Sequence, residues 1–444
     1  IEYNNDLDFR IHYGNEFKDE STRMVIIATD GVYIPYDILS NVKCCEISYH
    51  RLFPKLNSEV LLMKDNVDLD LLSIAYEKNY DDLSNHKATE HFISDNVSSK
   101  ENIEFYVNRI MNDTLKKAGK DTTYQEWLEI ATCKAKADVL AAENRIEANT
   151  SSVNDAFSEF VLGKYGSLSG NMSTDTPLLV SRAMEYMSDH SDKFMIIVMD
   201  GMSEFDWNII SRSFYGMRYD HKSIYAMIPT TTSISRQCLL SNKYPSQLQT
   251  PWKQSNEKKE FVECAKRLGY KDNQIEYGRG YDIEPGPFVK CGAVIINDID
   301  DMVHAQQLGR LGMYDDISLL SKQGKLAKLV HRLLRKGYDV YISADHGNTH
   351  CTGIGRPQGF GVEVETRSHR MMVLKEFADS ENYREKYGLI EYPKYYLPKE
   401  YEYLVCNTGT SLDINGADVM SHGGITIDEV VVPFIELKAE ENNG

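Results

Sequence analysis

Residues 194–201 read FMIIVMDG, an unbroken apolar run that ends at Asp200 and Gly201. Six apolar residues followed by a turn signal predict a buried β-strand. Five further apolar runs alternate with helical segments, and they lie at 223–228, 293–297, 340–344, 371–374 and 430–435. Strands that alternate with helices predict an α/β fold with a largely parallel sheet and helices on both faces.

Side chains that can bind metals follow several of these runs directly. Asp200 ends the first run, Asp300 follows the third, and Asp345 with His346 follows the fourth. Ligands of open α/β sheets bind outside the carboxyl ends of the strands. We therefore expect these residues, although remote in sequence, to converge on one pocket.

Hydroxyl and imidazole groups extend this pattern. Thr230, Thr231 and Thr232 follow the second run, and His422 lies just before the last run, where it would close the site. The spacing between Asp300 and His304 puts both on one face of a helix. Asp and His are ligands that suit zinc, manganese or magnesium.

Length and composition indicate a water-soluble, multidomain protein. The 444 residues are 42% hydrophobic and 26% charged, and this length predicts two to three domains. No apolar run approaches the roughly 18 to 20 residues of a membrane-spanning helix. The N-terminus has no secretory signal, so we expect a cytoplasmic protein. Because the chain does not begin with Met, we expect a fragment of a longer protein.

The formal net charge is −18 at pH 7. Such a charge argues against a generally basic surface that coats nucleic acid, since that affinity comes mainly from Lys and Arg. It does not exclude a phosphate substrate, because carboxylates clustered around bound cations count as negative in the sequence alone.

The eight cysteines contain no Cys-x-x-Cys pair and are too sparse for a disulfide framework. We expect reduced core thiols in a cytoplasmic protein. Cys351 lies close in sequence to His346 and His350, so a soft metal ligand at Cys351 is an alternative.

The chain divides by pattern into four segments. A β-branched run opens the chain, helical periodicity follows, and a Gly- and Ser-rich stretch then precedes the alternating strands and helices. Residues 380–410, rich in Tyr, Glu and Lys, are predicted to leave the sheet. The predicted segments are a small α/β unit over 1–65, a helical spacer over 66–162, a linker over 163–175 and the α/β domain over 176–444.

Five stretches together resemble the alkaline phosphatase superfamily, and within it the PglZ domain of bacterial phage-exclusion (BREX) systems and of PorX-type response regulators. The stretches occur in the family's order within residues 195–437. They read IVMDGMS at 197–203, PTTTSISR at 229–236, DDMVH at 300–304, SADHG at 343–347 and SHGG at 421–424. The resemblance implies that residues 176–444 form an alkaline-phosphatase-like catalytic domain.

The resemblance also implies two metal sites. One metal would be held by Asp200, Asp345, His346 and the nucleophile. The other would be held by Asp300, His304 and His422. Zinc is the expected metal, with manganese or magnesium as alternatives.

Thr232 is the nucleophile that the resemblance implies. The family pattern of Pro, Ser or Thr, any residue and then Thr selects it over Thr230, Thr231 and Ser233, although an offset of one residue would move the assignment. A cation lowers the pKa of a hydroxyl that it binds, which predicts a phospho-threonine intermediate. Arg236 is predicted to contact a phosphate oxygen, with an ion-paired Arg as the alternative.

The substrate predicted from this resemblance is a phosphodiester. Sulfatases of the superfamily carry a Cys/Ser-x-Pro-x-Arg motif, which is absent around Thr232. The PglZ resemblance implies a phosphodiesterase or nuclease that acts on DNA or an oligonucleotide in antiphage defence, with other phage-defence proteins as partners and a homodimer as an option. The alternatives are a phosphomonoesterase and a metal-binding scaffold or sensor without turnover.

Overall fold

The computed structural model describes residues 1–3, 5–19, 23–29, 31–64, 67–79, 83–148, 150–171, 175–356, 368–375 and 380–439. By its contacts the chain separates into two compact units, residues 1–98 and residues 99–444. Within the described ranges, no helix has the length and apolar character needed to cross a bilayer. The predicted segment boundaries at 65, 162 and 175 remain predictions.

The first unit has one short parallel strand pair and several short helices. Tyr3, Phe9 and Ile38 form its small buried core around the strand pair. Asn5 begins the first helix, because its side chain accepts a hydrogen bond from the Asp8 backbone N–H. The elements are β1 Glu2–Tyr3, α1 Asp6–Tyr13, β2 Ile27–Ala28, α2 Tyr36–Leu39, α3 Tyr49–Leu52, α4 Ser58–Met63, α5 Leu69–Glu77 and α6 His86–Phe92.

The second unit contains the strands and helices that build the site. Its strands are β3 Phe194–Met199, β4 Asp220–Tyr225, β5 Ile275–Arg279, β6 Cys291–Ile296, β7 Asp339–Ser343, β8 Thr349–Gly353, β9 Met371–Lys375, β10 Ile390–Glu391, β11 Tyr401–Val405, β12 Thr410–Ser411, β13 Asp418–Ser421 and β14 Val431–Leu437. Its helices are α7 Lys100–Lys117, α8 Tyr124–Glu143, α9 Ser151–Lys164, α10 Ala183–His190, α11 Glu204–Ile210, α12 Gln237–Ser241, α13 Glu257–Arg267, α14 Asp298–Ala305, α15 Gly309–Gln323, α16 Lys325–Arg335, α17 Ser380–Tyr387 and α18 Ile427–Val430.

Among the described residues, the largest sheet has six strands in the order β4-β14-β7-β3-β6-β5. Only β14 is antiparallel to its neighbours, so β3 to β7 all run in one direction. Every residue of β3 and β6 is buried, because helices cover both faces of the sheet. Helix α11 packs with α8 and α15, and α12 packs with α10 and α13. The predicted α/β class with a largely parallel sheet is confirmed.

One predicted strand lies elsewhere. The apolar run at 371–374 belongs to β9, which pairs antiparallel with β11 in a separate three-stranded sheet. Its apolar side chains are satisfied there, because Met372 and Leu374 pack against Leu404 of β11 in a second small core. The expected excursion at 380–410 supplies that partner strand, so the run at 371–374 leaves the main sheet together with it.

The sequence did not predict β5, the edge strand of the main sheet. Its residues, Ile-Glu-Tyr-Gly-Arg, are half-buried or exposed and lack the apolar run of the inner strands. Inside the predicted linker at 163–175, Tyr165 is fully buried and donates a hydrogen bond to the Ala226 carbonyl at 2.5 Å. Residues 172–174 of that linker lie outside the described residues.

A buried cluster of charged side chains connects α8 to α15 and α18 within the second unit. Lys134 is fully buried, and its Nζ lies 2.7 Å from both Asp138 and Asp428. Arg310 also pairs with both carboxylates, at 3.2 and 3.4 Å. Burial alone would raise the pKa of Asp428, but the charges of Lys134 and Arg310 outweigh it and hold that pKa below its ordinary value.

Substituting Lys134→Met should lower the free energy of unfolding by about 3 kcal/mol, because it removes one cation from two buried carboxylates. Urea unfolding followed by circular dichroism would measure this loss. The favourable pairing is present above the ordinary carboxyl pKa of about 4 and is lost as the pH falls. The difference from the unsubstituted chain should therefore shrink below about pH 4.

Lys116→Met is the matched control for Lys134→Met. Lys116 pairs with Asp113 at 2.9 Å on α7, but 76% and 57% of the two side chains are exposed. An exposed pair contributes less than about 1 kcal/mol. Equal losses in the two variants would show that the buried cluster has no special contribution to stability.

Candidate metal centre

The site lies where the strands of the main sheet end. Asp200 directly follows β3, and Asp345 lies just beyond β7. Because these strands are parallel, their carboxyl ends meet at one edge. The chain re-enters the sheet at the same edge through the antiparallel β14, which places His422 there as well.

Seven side chains meet at this edge and are called the seven-residue cluster below. Asp300 and His304 come from α14, and Thr232 begins a single π-helical turn, 232–236, that leads into α12. The cluster is Asp200, Thr232, Asp300, His304, Asp345, His346 and His422. The structure brings all seven of the predicted metal-site residues together; their roles as ligands remain predictions.

One half of the cluster consists of Asp200, Asp345 and His346. The ligand atoms of these three buried side chains lie within 4.8 Å of one another. His346 Nε2 is 3.8 Å from Asp200 Oδ1 and 3.8 Å from Asp345 Oδ2. Burial, followed by the nearby negative charge of Asp200, raises the pKa of Asp345 well above its ordinary value.

The other half consists of Asp300, His304 and His422, with His346 again within reach. Nε2 atoms of His422 and His304 lie 3.4 Å from the two oxygens of Asp300. The ligand atoms of Asp300, His346 and His422 also lie within 4.8 Å of one another, so His346 stands between the two halves. About 48% of the His304 side chain is exposed, which leaves this side of the cluster open to solvent.

The histidine tautomers are set by backbone carbonyls. His346 Nδ1 donates to the Gly347 carbonyl at 3.0 Å, and His422 Nδ1 donates to the Thr230 carbonyl at 3.0 Å. A neutral imidazole with Nδ1 protonated has an unprotonated Nε2. Burial and the nearby imidazole of His346 lower the pKa of His422 to about 4, so its ring is neutral near pH 7.

An acceptor atom therefore faces another acceptor atom in the half that holds Asp300 and His422. His422 Nε2 points at Asp300 Oδ1, and His346 Nε2 points at Asp345 Oδ2. Among the described residues, neither carboxylate oxygen has a hydrogen-bond donor, although both are buried. Asp345 Oδ1 accepts hydrogen bonds from the Gly201 and His346 backbone N–H groups, and Asp345 Oδ2 lies 3.9 Å from Arg236 Nη1. A buried carboxylate oxygen without a donor is costly unless a cation neutralises it. The donor set thus fits divalent cations, with imidazole and carboxylate ligands that suit zinc or manganese.

Only one of four neighbouring hydroxyls reaches the carboxylate-histidine groups. Thr232 Oγ1 lies 3.3 Å from both Asp200 Oδ1 and His346 Nε2. Thr230 instead donates to the Gly424 carbonyl, and Thr231 pairs with Ser233. These contacts support Thr232, rather than its neighbours, as the hydroxyl at the centre.

Arg236 is fully buried and contacts protein carboxylates. Its Nη1 lies 2.5 Å from Asp200 Oδ2, and its Nε lies 2.6 Å from Glu257 Oε2. Burial opposes its charge, but Asp200, Asp345 and Glu257 together raise the pKa of Arg236 above its ordinary value. The described contacts are those of an ion-paired Arg, and the predicted contact with substrate phosphate stays a prediction.

Several residues that support the cluster were missed. Glu257 holds Arg236 and also accepts hydrogen bonds from Tyr277 and Arg279. Glu429 accepts from the Gly424 backbone N–H and from Arg370, which fixes the segment after His422. No spacing in the sequence links these partners, because each lies many residues from the side chain that it holds.

Two other acidic or thiol groups near the motifs lie outside the cluster. Asp298 accepts a hydrogen bond from the Tyr281 hydroxyl at 2.9 Å. Cys351 lies 3.0 Å from Arg370 Nη1, and burial raises the pKa of its thiol to about 12. Across the described ranges, neither metal-competent group includes Cys351, and all eight cysteines are free thiols.

Residues 289–437, about a third of the chain, match the family model of the BREX system PglZ alkaline phosphatase-like domain. This match confirms the resemblance drawn from the five stretches. It includes five residues of the seven-residue cluster, while Asp200 and Thr232 precede it. No curated protein matches the chain.

Solved structures that are similar to part of the chain include the following two. Murine ectonucleotide pyrophosphatase/phosphodiesterase 5 shares 14% identity with a TM-score of 0.40, over 55% of this chain and 88% of that chain. Phosphonoacetate hydrolase from Sinorhizobium meliloti 1021, in complex with phosphonoformate, shares 10% identity with a TM-score of 0.37, over 57% of this chain and 92% of that chain.

Proposed function

We propose, with the PglZ alkaline phosphatase-like domain at residues 289–437 as the premise, that this chain is a two-metal phosphodiesterase or nuclease. Its cofactors are two divalent cations, zinc before manganese or magnesium, and it acts through a phospho-threonine intermediate at Thr232. It works in the bacterial cytoplasm in BREX antiphage defence, on DNA or an oligonucleotide, with other proteins of that system.

One observation carries the proposal. The Nε2 atoms of His346 and His422 lie 3.8 and 3.4 Å from buried oxygens of Asp345 and Asp300, and neither oxygen accepts a hydrogen bond in the described part of the chain. Asp200, Asp345 and His346 would hold one cation together with Thr232, and the remaining three side chains would hold the other. When bound there, two cations supply positive charge that favours an ionised threonine hydroxyl and offsets the charge of the phosphate.

The proposed reaction has two steps, the transfer of the phosphoryl group to Thr232 and its release by water. Thr232 Oγ1 loses its proton to water and attacks the phosphorus, and the bond from phosphorus to the leaving alcohol breaks. The leaving oxygen takes a proton from solvent through the open side beside His304. Water then attacks the phosphothreonine, which releases the phosphoryl product and restores the Thr232 hydroxyl.

The finer parts of the proposal rest on the description of the matched family and on the residues around Thr232. The description of the domain supports the role in phage exclusion. The Cys or Ser nucleophile setting of sulfatases is absent around Thr232. The homodimer remains a prediction.

Hydrolysis assays with purified chain test the activity directly. We expect zinc- or manganese-loaded protein to cleave bis-p-nitrophenyl phosphate and short oligonucleotides faster than p-nitrophenyl phosphate, and chelation to stop cleavage. A faster monoester reaction would favour the phosphomonoesterase. A metal-loaded chain that cleaves none of these substrates or a plasmid would favour the non-catalytic scaffold and would end the proposal.

A further inference from the structure

An open groove lies beside a segment that follows Thr232 in the sequence. Residues 246–253 and 394–401 form the two sides of an open groove with a volume of about 830 Å³. This size falls within the range of ligand-binding pockets in proteins. The groove contains none of the seven-residue cluster, so it is a separate feature of the same unit.

Aromatic rings line the groove. Trp252 is half-buried and packs edge-on against Tyr401, with ring centroids 5.5 Å apart. Its indole N–H has no hydrogen-bond partner among the described residues. Tyr396 is held flat against Tyr244 at 4.8 Å, and its hydroxyl is hydrogen-bonded to the Ser169 and Gly166 backbone. The groove thus presents the fixed ring of Tyr396, whereas the indole N–H of Trp252 is buried.

The charge of the groove differs from that of the whole chain. Its lining includes three lysines, Lys253, Lys394 and Lys399, but only one acidic residue, Glu400. The chain as a whole has 49 basic and 67 acidic residues. Lys394 pairs with Glu402 at 2.6 Å, whereas Lys253 and Lys399 form no ion pair within the described ranges. Two exposed cations are therefore available to an anionic ligand.

The backbone of the groove is held in an uncommon conformation. Lys394 and Tyr396 both have positive φ angles, 58° and 62°, in a region that residues with side chains rarely adopt. Such strain persists where surrounding contacts fix it, and it clusters at binding sites. The groove is thus preformed, which lowers the entropic cost of binding a ligand.

The groove is tied to the helix that carries Thr232. Gln237 Nε2 donates to the carbonyl of Pro251, the residue before Trp252, at 3.1 Å. Arg236 pairs with Glu257, five residues after Trp252 in the sequence. Both ends of the segment 251–257 are therefore anchored to residues that follow Thr232. Gln237 begins α12 directly after the π-helical turn that Thr232 begins.

We infer that this groove binds the bases of a single-stranded nucleic acid, with Trp252 and Tyr401 as stacking surfaces and Lys253 and Lys399 as phosphate contacts. Sequence-tolerant binding of single strands uses this combination of rings and cations. The inference rests on the proposed function for the identity of the strand as a substrate. A proline-rich peptide also suits aromatic grooves, but the unpaired lysines favour the polyanion.

Tryptophan fluorescence tests the inference with the full chain. The chain has three tryptophans, and Trp127 and Trp207 are buried, so the response of Trp252 can be separated. We would titrate the Thr232→Ala variant in EDTA with a deoxythymidine oligonucleotide of about 12 nucleotides. We expect saturable quenching that Trp252→Phe abolishes, while the anisotropy of a labelled oligonucleotide still reports binding to that variant.

Binding variants give the quantitative test. Trp252→Ala should weaken binding roughly tenfold. A Lys253→Glu and Lys399→Glu double variant should also weaken binding, and its affinity should depend less on salt concentration than that of the parent chain. Phe288→Ala, an exposed ring that does not line the groove, is the control and should bind as the parent does. Duplex DNA of the same length should bind more weakly, because its bases are already stacked.

Three results would overturn the inference: no quenching and no anisotropy change with the oligonucleotide, both groove variants binding like Phe288→Ala, or quenching by a proline-rich peptide alone. The chelated Thr232→Ala chain cannot turn over, so these outcomes are independent of hydrolysis. A chain that binds the oligonucleotide but never cleaves it would contradict the proposed function and leave the groove as a nucleic-acid site.

Discussion

Replacing Thr232 with Ala should lower kcat for a phosphodiester substrate by roughly a thousandfold or more, because the attacking oxygen is lost. Thr232 Oγ1 is the hydroxyl that lies 3.3 Å from both Asp200 and His346. The cation ligands contributed by Asp and His would remain, so metal content should change little. Steady-state hydrolysis of bis-p-nitrophenyl phosphate, with elemental analysis of the same sample, measures both quantities.

Thr231→Val and Thr232→Ser are the matched controls. Thr231 is the adjacent hydroxyl, and it pairs with Ser233 instead of the carboxylates. Thr231→Val should keep most of the activity, and Thr232→Ser should keep a measurable part of it, because a serine oxygen can occupy the same position. Acid-quenched enzyme should carry phosphate on the peptide that contains Thr232. Full activity in Thr232→Ala would remove the proposed nucleophile.

Replacing His346 with Ala should have an effect at least as large. His346 belongs to both metal-competent groups, so its loss removes a ligand from one site and a neighbour from the other. Loss of a supporting residue alone commonly costs 10- to 100-fold in metal affinity, so removing a ligand should cost on the order of a hundredfold or more. Metal titration followed by calorimetry measures the affinity, and hydrolysis should fall below detection.

His350→Ala is the control for His346→Ala. His350 lies four residues further along the chain, 43% of its side chain is exposed, and it pairs with Asp418 outside the cluster. Its loss should leave metal affinity and activity within a factor of about two. If His346→Ala bound metal and hydrolysed substrate as His350→Ala does, the shared position of His346 would have no functional meaning.

The main sheet and the cluster were largely predictable from local patterns. An unbroken apolar run such as 194–199 predicts a strand buried on both faces, and a polar residue at its end is placed by the geometry of parallel strands. The order of the five stretches then selected Thr232 and six companions. Their proximity in the structure follows from the direction of β3, β6 and β7.

The remaining features depend on pairings between distant residues. Strand β9 pairs with β11 instead of a strand of the main sheet, and no local property of 371–374 indicates this pairing. No local pattern indicates the ion-pair partner of Arg236, because Glu257 comes 21 residues later and meets it only in the folded chain. The groove beside Trp252 combines segments that are more than a hundred residues apart.

Anomalous diffraction from crystals of the metal-loaded chain is the most direct measurement, since the central claim is that seven side chains hold two divalent cations. Data collected at the zinc and manganese absorption edges should show two peaks per chain. One peak should lie among Asp200, Asp345 and His346, and the other among Asp300, His304 and His422. Peaks only at other positions, or none from crystals soaked in excess metal, would contradict the account.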